Sequence, residues 1–274
     1  MKTQSFQYLY GPVYSWRLGY SLGIDPLGNK SKVCNFDCIY CQLGRTSRLI
    51  THRKEFVSTE AILQEIIHLP EVHINYLTFS GRGEPTLAKN LGRMIEAIRE
   101  VRPEKIAVIT NSALIHRKDV QDDLRLSDFV LAKLDAASSS GFSAMDHAAQ
   151  NIEIDRIVDG LKSFRDSFLG KFALQIMFIE RNKGEAEQIA RLAREIAPDE
   201  VQLNTPTRPC PVGSLSREEM NEIKALFADM PAVCVYDSFV PETEPLDERA
   251  TIARHGNYRL SDLILQAQLM QQEQ

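Results

Sequence analysis

The chain lacks any apolar run approaching the ~18 residues that a membrane-spanning helix needs, so no membrane partner is expected. It also lacks an excess of positive charge. Lys and Arg number 32 against 37 Asp and Glu, a formal net charge of −5. That balance disfavours broad, nonspecific nucleic-acid binding but leaves room for a local basic patch. The opening residues, Met1-Lys2-Thr3-Gln4-Ser5-Phe6-Gln7, contain no apolar signal segment, so a cytoplasmic, reducing compartment is expected. No low-complexity linker and no strict repeat divides the sequence, which predicts one large domain or a domain with a small appendage.

What the chain does have is concentrated in Cys34-Asn35-Phe36-Asp37-Cys38-Ile39-Tyr40-Cys41. Three thiols at C-x₃-C-x₂-C spacing in one loop suit sulfide-bridged iron, which prefers soft thiolate donors. A four-iron cube has four corners and these cysteines satisfy three, so the fourth iron is open to another ligand. Structural zinc normally takes four protein ligands, often as two separated C-x₂-C pairs. Here Cys210 and Cys234 are isolated, and no His lies within a few residues of the triplet. A disulfide would leave one of the three cysteines unpaired.

The middle of the chain alternates short apolar runs with amphipathic stretches. Strands are predicted at Ser21–Ile24, Tyr76–Ser80, Lys105–Thr110, Phe129–Leu134, Phe172–Ile179 and Glu200–Leu203. Helices are predicted at Thr59–Leu69, Ala88–Val101, Val120–Leu126, Ile152–Phe168 and Glu185–Ile196, with Ser58 or Thr59 capping the first and Gly170 ending the fourth. Six β/α units imply an α/β fold with a parallel sheet and right-handed crossovers. Chemistry in such folds gathers at the C-terminal ends of the strands. The cysteine loop, Gly81–Glu84, Asn111-Ser112, Asp135 and Asn204-Thr205 all fall there. After Pro211 the pattern changes: Ser216–Met230 reads as a Ser216-capped helix, Val233–Phe239 as a strand, Val240–Asp247 as a loop, and Ser261–Met270 as a final helix before a frayed end.

At these residues the sequence resembles the radical S-adenosylmethionine (SAM) superfamily, whose signature is this cysteine loop with an aromatic before the third cysteine. Ser80-Gly81-Arg82-Gly83-Glu84-Pro85-Thr86 is similar to that superfamily's glycine-rich "GGE" turn, with Arg82 in place of the second glycine. Gly11-Pro12-Val13, Arg17-Leu18-Gly19, Cys41-Gln42-Leu43-Gly44, Lys133-Leu134-Asp135, Gln202-Leu203-Asn204-Thr205-Pro206 and Arg208-Pro209 narrow the match. Together they resemble a subgroup related to wyosine-type tRNA synthases and molybdenum-cofactor enzymes. The chain has no cysteine before Cys34, a departure from the additional N-terminal set expected of wyosine-forming enzymes.

The resemblance covers roughly Tyr10 to Pro211. It implies a partial (β/α)₆ TIM-like barrel over residues 10–211 with a short C-terminal extension over 212–274. It further implies a [4Fe–4S] cluster on Cys34, Cys38 and Cys41, whose open iron chelates SAM. Reductive cleavage of SAM would give a 5′-deoxyadenosyl radical that abstracts hydrogen from a substrate, the work of an oxidoreductase or transferase. The cofactors carry that chemistry, while the protein supplies ligation, orientation and exclusion of water. No flavin-binding domain is recognisable, so an external electron donor such as flavodoxin or ferredoxin is expected.

Gly81 and Gly83 would let the backbone turn tightly toward the methionyl group, and Glu84 would accept from its ammonium. The bland alternative for Glu84 is an exposed loop carboxylate. Asn111 and Ser112 could hold ribose or carboxylate, or simply make a strand-to-helix turn. Asp135 would be costly if buried unpaired; it either forms a structural ion pair with Lys133 or contacts SAM or substrate. Asn204, Gln175 and Arg208 are weaker candidates of the same kind, and Met177 could shelve adenine or belong to the core. Arg45, Arg48, His52, Arg53 and Lys54 form a basic run that could hold a substrate phosphate or carboxylate, or lie as a solvated loop. Cys210 is a possible hydrogen donor or substrate thiol, with a buried structural role the commoner fate for it and for Cys234. Two substrate classes stay open, an RNA base or a peptide or small molecule. The reading from another class is a noncatalytic iron–sulfur binding or regulatory protein.

Overall fold

In the computed structural model, which describes residues 5–28, 31–237, 241 and 243–256, the chain begins with an antiparallel hairpin. It pairs β1 (Leu9–Ser15) with β2 (Gly19–Ile24). Two short paired strands follow, β3 (Val33–Cys34) and β4 (Arg48–Leu49), which bracket the cysteine loop. Helix and strand then alternate: α1 (Thr59–Ile67), β5 (Tyr76–Phe79), α2 (Leu91–Val101), β6 (Lys105–Thr110), α3 (Lys118–Leu124) and β7 (Phe129–Lys133). The chain continues through α4 (Ser139–Asp146), α5 (Ile154–Ser167), β8 (Lys171–Met177), α6 (Ala186–Ile196), β9 (Glu200–Asn204), α7 (Arg217–Ala225), β10 (Ala232–Cys234) and α8 (Glu248–His255).

The main sheet runs β1-β2-β5-β6-β7-β8-β9-β10 and curls into a half barrel. Every pairing after the hairpin is parallel. The six expected strands stand in the expected order, within two residues of their expected ends. Two strands flank them. β1 carries no strand signal in the sequence because Gly11-Pro12 interrupts its pattern; as an edge strand it tolerates proline, and a register shift between Tyr10 and Val13 absorbs it. β10 extends the sheet from the segment beyond residue 212, and α8 packs on β1 with Asp247 as its N-cap.

The helices bury one stripe each. In α6, Ala186, Ile189, Ala190, Ala193 and Ile196 recur at helical spacing and are buried. Ser58 caps α1, and a full capping box from Ser216 and Glu219 starts α7. Gly170 does not end α5, as the sequence suggests. The helix stops at Ser167 with an extended Phe168 as its C-cap, and Gly170 is small because a Cβ there would stand 2.7 Å from the Asp128 carbonyl oxygen. α4 carries no helix signal in the sequence because Ser139-Ser140-Gly141 favours turns. The expected final helix at Ser261–Met270 lies outside the described residues, as do the last residues and part of Val233–Phe239.

Strand alternation sorts the sheet's two faces. Ile106, Val108, Val130, Ala132, Phe172, Leu174, Val201 and Leu203 face the helices in the main core. On the concave face, Ala107, Phe129, Leu131 and Ala173 meet Leu18 from the hairpin and plug the end where the strands start. Burying Phe129 or Leu131 contributes about 2 kcal/mol each. Farther along the same face the residues become polar: Thr78, Lys133, Gln175 and Asn204 line a cavity. The fold therefore opens at the C-terminal ends of its strands.

Candidate active site

The loop that carries the cysteines is a closed unit. Lys32 Nζ donates to the Gly44 carbonyl at 3.0 Å, and Thr46 closes the turn with its backbone N–H on Asp37 Oδ1 at 2.6 Å and its hydroxyl on the Phe36 carbonyl at 2.7 Å. Cys34, Cys38 and Cys41 all line a cavity of about 300 Å³. All are free thiols. Among the described residues no three His, Cys, Asp or Glu side chains converge as a single-ion site does.

The glycine-rich turn is stitched to this loop. Val33 N–H donates to the Arg82 carbonyl at 2.9 Å, and Glu84 N–H to the Val33 carbonyl at 3.2 Å. Gly81 (φ +116°) and Gly83 (φ +153°) both line the cavity, yet what they accommodate is the protein itself. A Cβ on Gly83 would sit 1.6 Å from the Val33 carbonyl oxygen, and one on Gly81 would stand 2.8 Å from Asp25. Arg82 reaches the other way, its Nε donating to the Ala253 carbonyl at 2.7 Å. That outward course explains why an arginine stands there instead of glycine.

Glu84 is buried, contrary to the exposed alternative. Its Oε1 accepts from Thr86 N–H (3.0 Å), Thr86 Oγ1 (2.6 Å) and Thr110 Oγ1 (2.7 Å), and its Oε2 from Asn111 N–H (2.7 Å). Burial pushes its carboxyl up, and these donors hold it back. Asn111 Nδ2 in turn donates to Asn35 Oδ1 at 2.6 Å and lies 3.5 Å from Cys34 Sγ, while Phe36 N–H points at the same sulfur at 3.4 Å. Burial, then the Glu84 charge, raises the Cys34 thiol to about 12. N–H groups aimed at sulfur beside a buried thiol suit a cluster ligand.

A second network supports Cys38. Its Sγ lies 3.2 Å from Asp146 Oδ1, and burial followed by Asp146 raises that thiol well above its usual range. Tyr40 hydrogen-bonds both Asp135 and Lys133, and Lys133 pairs with Asp135 at 2.9 Å. Burial, then Asp135, raises Asp146 to about 7. Asp135 Oδ1 also accepts from Met177 N–H at 2.7 Å.

Of the residues read from sequence, Asn111 and Asn204 line the cavity, as do Gln175, Met177 and Arg208. Ser112 and Asp135 do not. The Ser112 hydroxyl donates to the Lys133 carbonyl at 2.8 Å, and Asp135 is consumed by Tyr40, Lys133 and Met177, so both position the wall from behind. The basic run does not face the cavity: Arg45, Arg48 and His52 are exposed surface residues. The Arg53 side chain, 4% exposed, turns inward and is structural. It donates to the Thr86 and Ala88 carbonyls and pairs with Asp119 and Asp123. Arg53→Ala is expected to cost about 3 kcal/mol in urea unfolding, since it strands two carbonyls and a half-buried carboxylate. An unchanged midpoint would place Arg53 with its exposed neighbours. Cys234 is buried in β10; Cys210 is half-buried beside Tyr40, Ile179 and Val212. No local motif groups Tyr10, Trp16, Arg17 and His255, which close the cavity from the hairpin and from α8.

A family model described as the radical SAM superfamily matches residues 29–193. The chain belongs to the radical SAM superfamily. It is 36% identical over 228 residues to a UPF0026 protein of Synechocystis sp., covering 83% of this chain and 86% of that one. It is 26% identical over 195 residues to a probable GTP 3′,8-cyclase of Saccharolobus solfataricus, covering 70% of this chain and 60% of that one. Archaeal TYW1 shares the fold, with a TM-score of 0.56 at 13% identity over 80% of this chain and 74% of that one. These likenesses agree with the subgroup resemblance and with a radical SAM partial barrel. Among the described residues no helix is long and apolar enough to cross a membrane.

Proposed function

We propose that this radical SAM protein is an enzyme that holds a [4Fe–4S] cluster on Cys34, Cys38 and Cys41, binds SAM against the Gly81–Glu84 turn, and abstracts hydrogen from a substrate. The observation that carries the reading is the joining of the cysteine loop to the glycine turn through Val33, with three thiols facing one cavity. When bound, the cluster supplies one-electron reductive cleavage of SAM. The chain's part is to aim N–H groups at Cys34, hold the Cys38 side with Asp146, Tyr40 and Lys133, and enclose the cavity from water. Asn204 and Gln175 offer amides to the cofactor, Asn111 spends its own on Asn35, Ala113 and the Cys34 sulfur at the cavity wall, and Ser112 and Asp135 act as positioning residues.

Within this reading the enzyme is an oxidoreductase or transferase of the cytoplasm, fed by an external donor such as flavodoxin or ferredoxin. Its substrate is an RNA base, a peptide or a small molecule. The likeness to the probable GTP 3′,8-cyclase fits the last of these classes, and the motif resemblance to wyosine-type tRNA synthases fits the first. A noncatalytic iron–sulfur role is disfavoured by the cavity itself, since a purely structural cluster needs no lined chamber beside it.

The test is anaerobic reconstitution with iron and sulfide, reduction by dithionite, addition of SAM, and mass spectrometry of 5′-deoxyadenosine. The wild type is expected to form it and Cys38→Ala to form none. A cluster that assembles without any 5′-deoxyadenosine would favour the noncatalytic role.

A further inference from the structure

The cavity has an unusual wall away from the cysteine loop. Arg17 enters from the β1–β2 turn, Arg208 from the segment after β9, and His255 from the last residue of α8. Arg17 lies over the Trp16 ring at 5.3 Å, and no ion pair involving it is formed among the described residues. Its Nε is buried without a hydrogen-bond partner. Burial, and then the charge of Arg208, pulls the Arg17 guanidinium down to about 9, with no carboxylate offsetting them. Arg208 Nη2 donates to His255 Nε2 at 2.6 Å. A guanidinium can only donate, so Nε2 is the acceptor and the neutral ring carries its proton on Nδ1. That Nδ1 is likewise buried without a partner. Burial, Arg208 and Arg17 all keep the ring uncharged.

The two orphaned groups, Arg17 Nε–H and His255 Nδ1–H, are therefore both donors. Leaving donors and positive charge buried costs free energy unless an acceptor arrives. The nearby carboxylate Asp25 is not that acceptor, because Arg254 holds it at 3.0 Å and the Leu27 and Gly28 N–H groups share its other oxygen. The wall adjoins the cluster loop, where Gln42 Nε2 donates to the His255 carbonyl at 3.2 Å.

We propose that Arg17, Arg208 and His255 form an anion subsite that docks a phosphate or carboxylate group of the substrate, beside the SAM position. This deepens, and rests on, the radical SAM reading. The shared chemistry is an oxyanion with several acceptors, matched to guanidinium forks and an imidazole N–H.

The test titrates inorganic phosphate, and separately succinate, into the reconstituted protein by calorimetry, with and without saturating SAM. Phosphate or succinate is expected to bind the wild type in both conditions, and which one binds tells a phosphate-bearing from a carboxylate-bearing substrate. Arg17→Met and His255→Ala are each expected to weaken that binding at least tenfold, the scale of one charge-assisted hydrogen bond. Exposed Arg45→Met is expected to leave it unchanged. Failure of both anions to bind, or undiminished binding by Arg17→Met, overturns the subsite. Loss of anion binding on adding SAM overturns it too, by assigning the wall to the SAM carboxylate. A melting temperature provides a second readout. In anion-free buffer Arg17→Met is expected to melt no lower than the wild type, because it removes an uncompensated buried charge; a lower value marks Arg17 as a structural tie and sinks the proposal. The titration reads the wall whether or not SAM is cleaved. Absence of 5′-deoxyadenosine would therefore count against the radical SAM reading and leave the anion result standing.

Discussion

Gly83→Ala is expected to destabilise the protein by about 4 kcal/mol and to strip it of iron after reconstitution. The added methyl would meet the Val33 carbonyl oxygen at 1.6 Å and its carbon at 2.6 Å, and neither is a side chain that can rotate away. Overpacking of this kind costs about 1–3 kcal/mol, and a non-glycine residue at φ +153° adds about 1–3 more. Relief requires moving β3, which breaks the Val33–Arg82 and Glu84–Val33 hydrogen bonds. Val33 directly precedes Cys34, so the same displacement carries a cluster ligand out of place. Gly81→Ala meets an Asp25 side chain instead of backbone and is expected to cost less. Urea midpoints and iron per chain check both. A Gly83→Ala protein with wild-type midpoint and iron would show that the loop and the turn are not mechanically joined.

Much of this fold is legible in the sequence, for physical reasons that also mark where legibility ends. Lys105–Thr110 and Phe129–Lys133 read as strands because parallel strands covered on both faces need nearly continuous apolar runs. α6 reads as a helix because its buried stripe is strictly periodic. The hairpin strand β1 does not, since its edge position lets Gly11-Pro12 interrupt the pattern. α4 is held by tertiary contacts that no local pattern announces: Glu185, from the start of α6, accepts from Ala137 N–H at 2.9 Å and from the Ser138 hydroxyl at 2.8 Å.

The site divides the same way. The three cysteines and the glycine turn are local motifs with their own chemistry and are plain in the sequence. The Asp135 pairing with Lys133 spans two residues along the chain and is legible as well. Tyr40, 95 residues from Asp135, becomes its partner only through the fold. Arg53 stands in a basic run that suggests a substrate contact, yet it turns inward to the turn at Thr86 and the acids of helix α3. The cavity's wall of hydrogen-bond donors comes instead from Arg17, Arg208 and the neutral His255, which share no sequence neighbourhood at all.

Glu84→Gln is expected to lower stability by about 2–3 kcal/mol and to reduce both iron retention and SAM affinity, although it preserves shape. The carboxylate is surrounded by donors: two backbone N–H groups, from Thr86 and Asn111, and two threonine hydroxyls. A carboxylate can accept all four, whereas an amide carries two donors of its own. Whichever way the amide turns, its NH₂ faces a backbone N–H that cannot rotate, and one buried donor is left unpaired. With the amide nitrogen in the Oε2 position the displaced group is Asn111, whose side chain reaches Asn35 and the sulfur of Cys34. With it in the Oε1 position the ends of β5 and β6 lose their shared tie through Thr86 and Thr110. Both outcomes loosen the cluster loop from the SAM side of the cavity. Glu84→Asp keeps the charge but shortens the reach, so it is expected to restore part of the stability while leaving SAM affinity low. If Glu84→Gln retains wild-type iron, its SAM affinity decides the case. Loss of SAM affinity alone makes Glu84 a direct cofactor contact, whereas no loss in either measure removes Glu84 from the site.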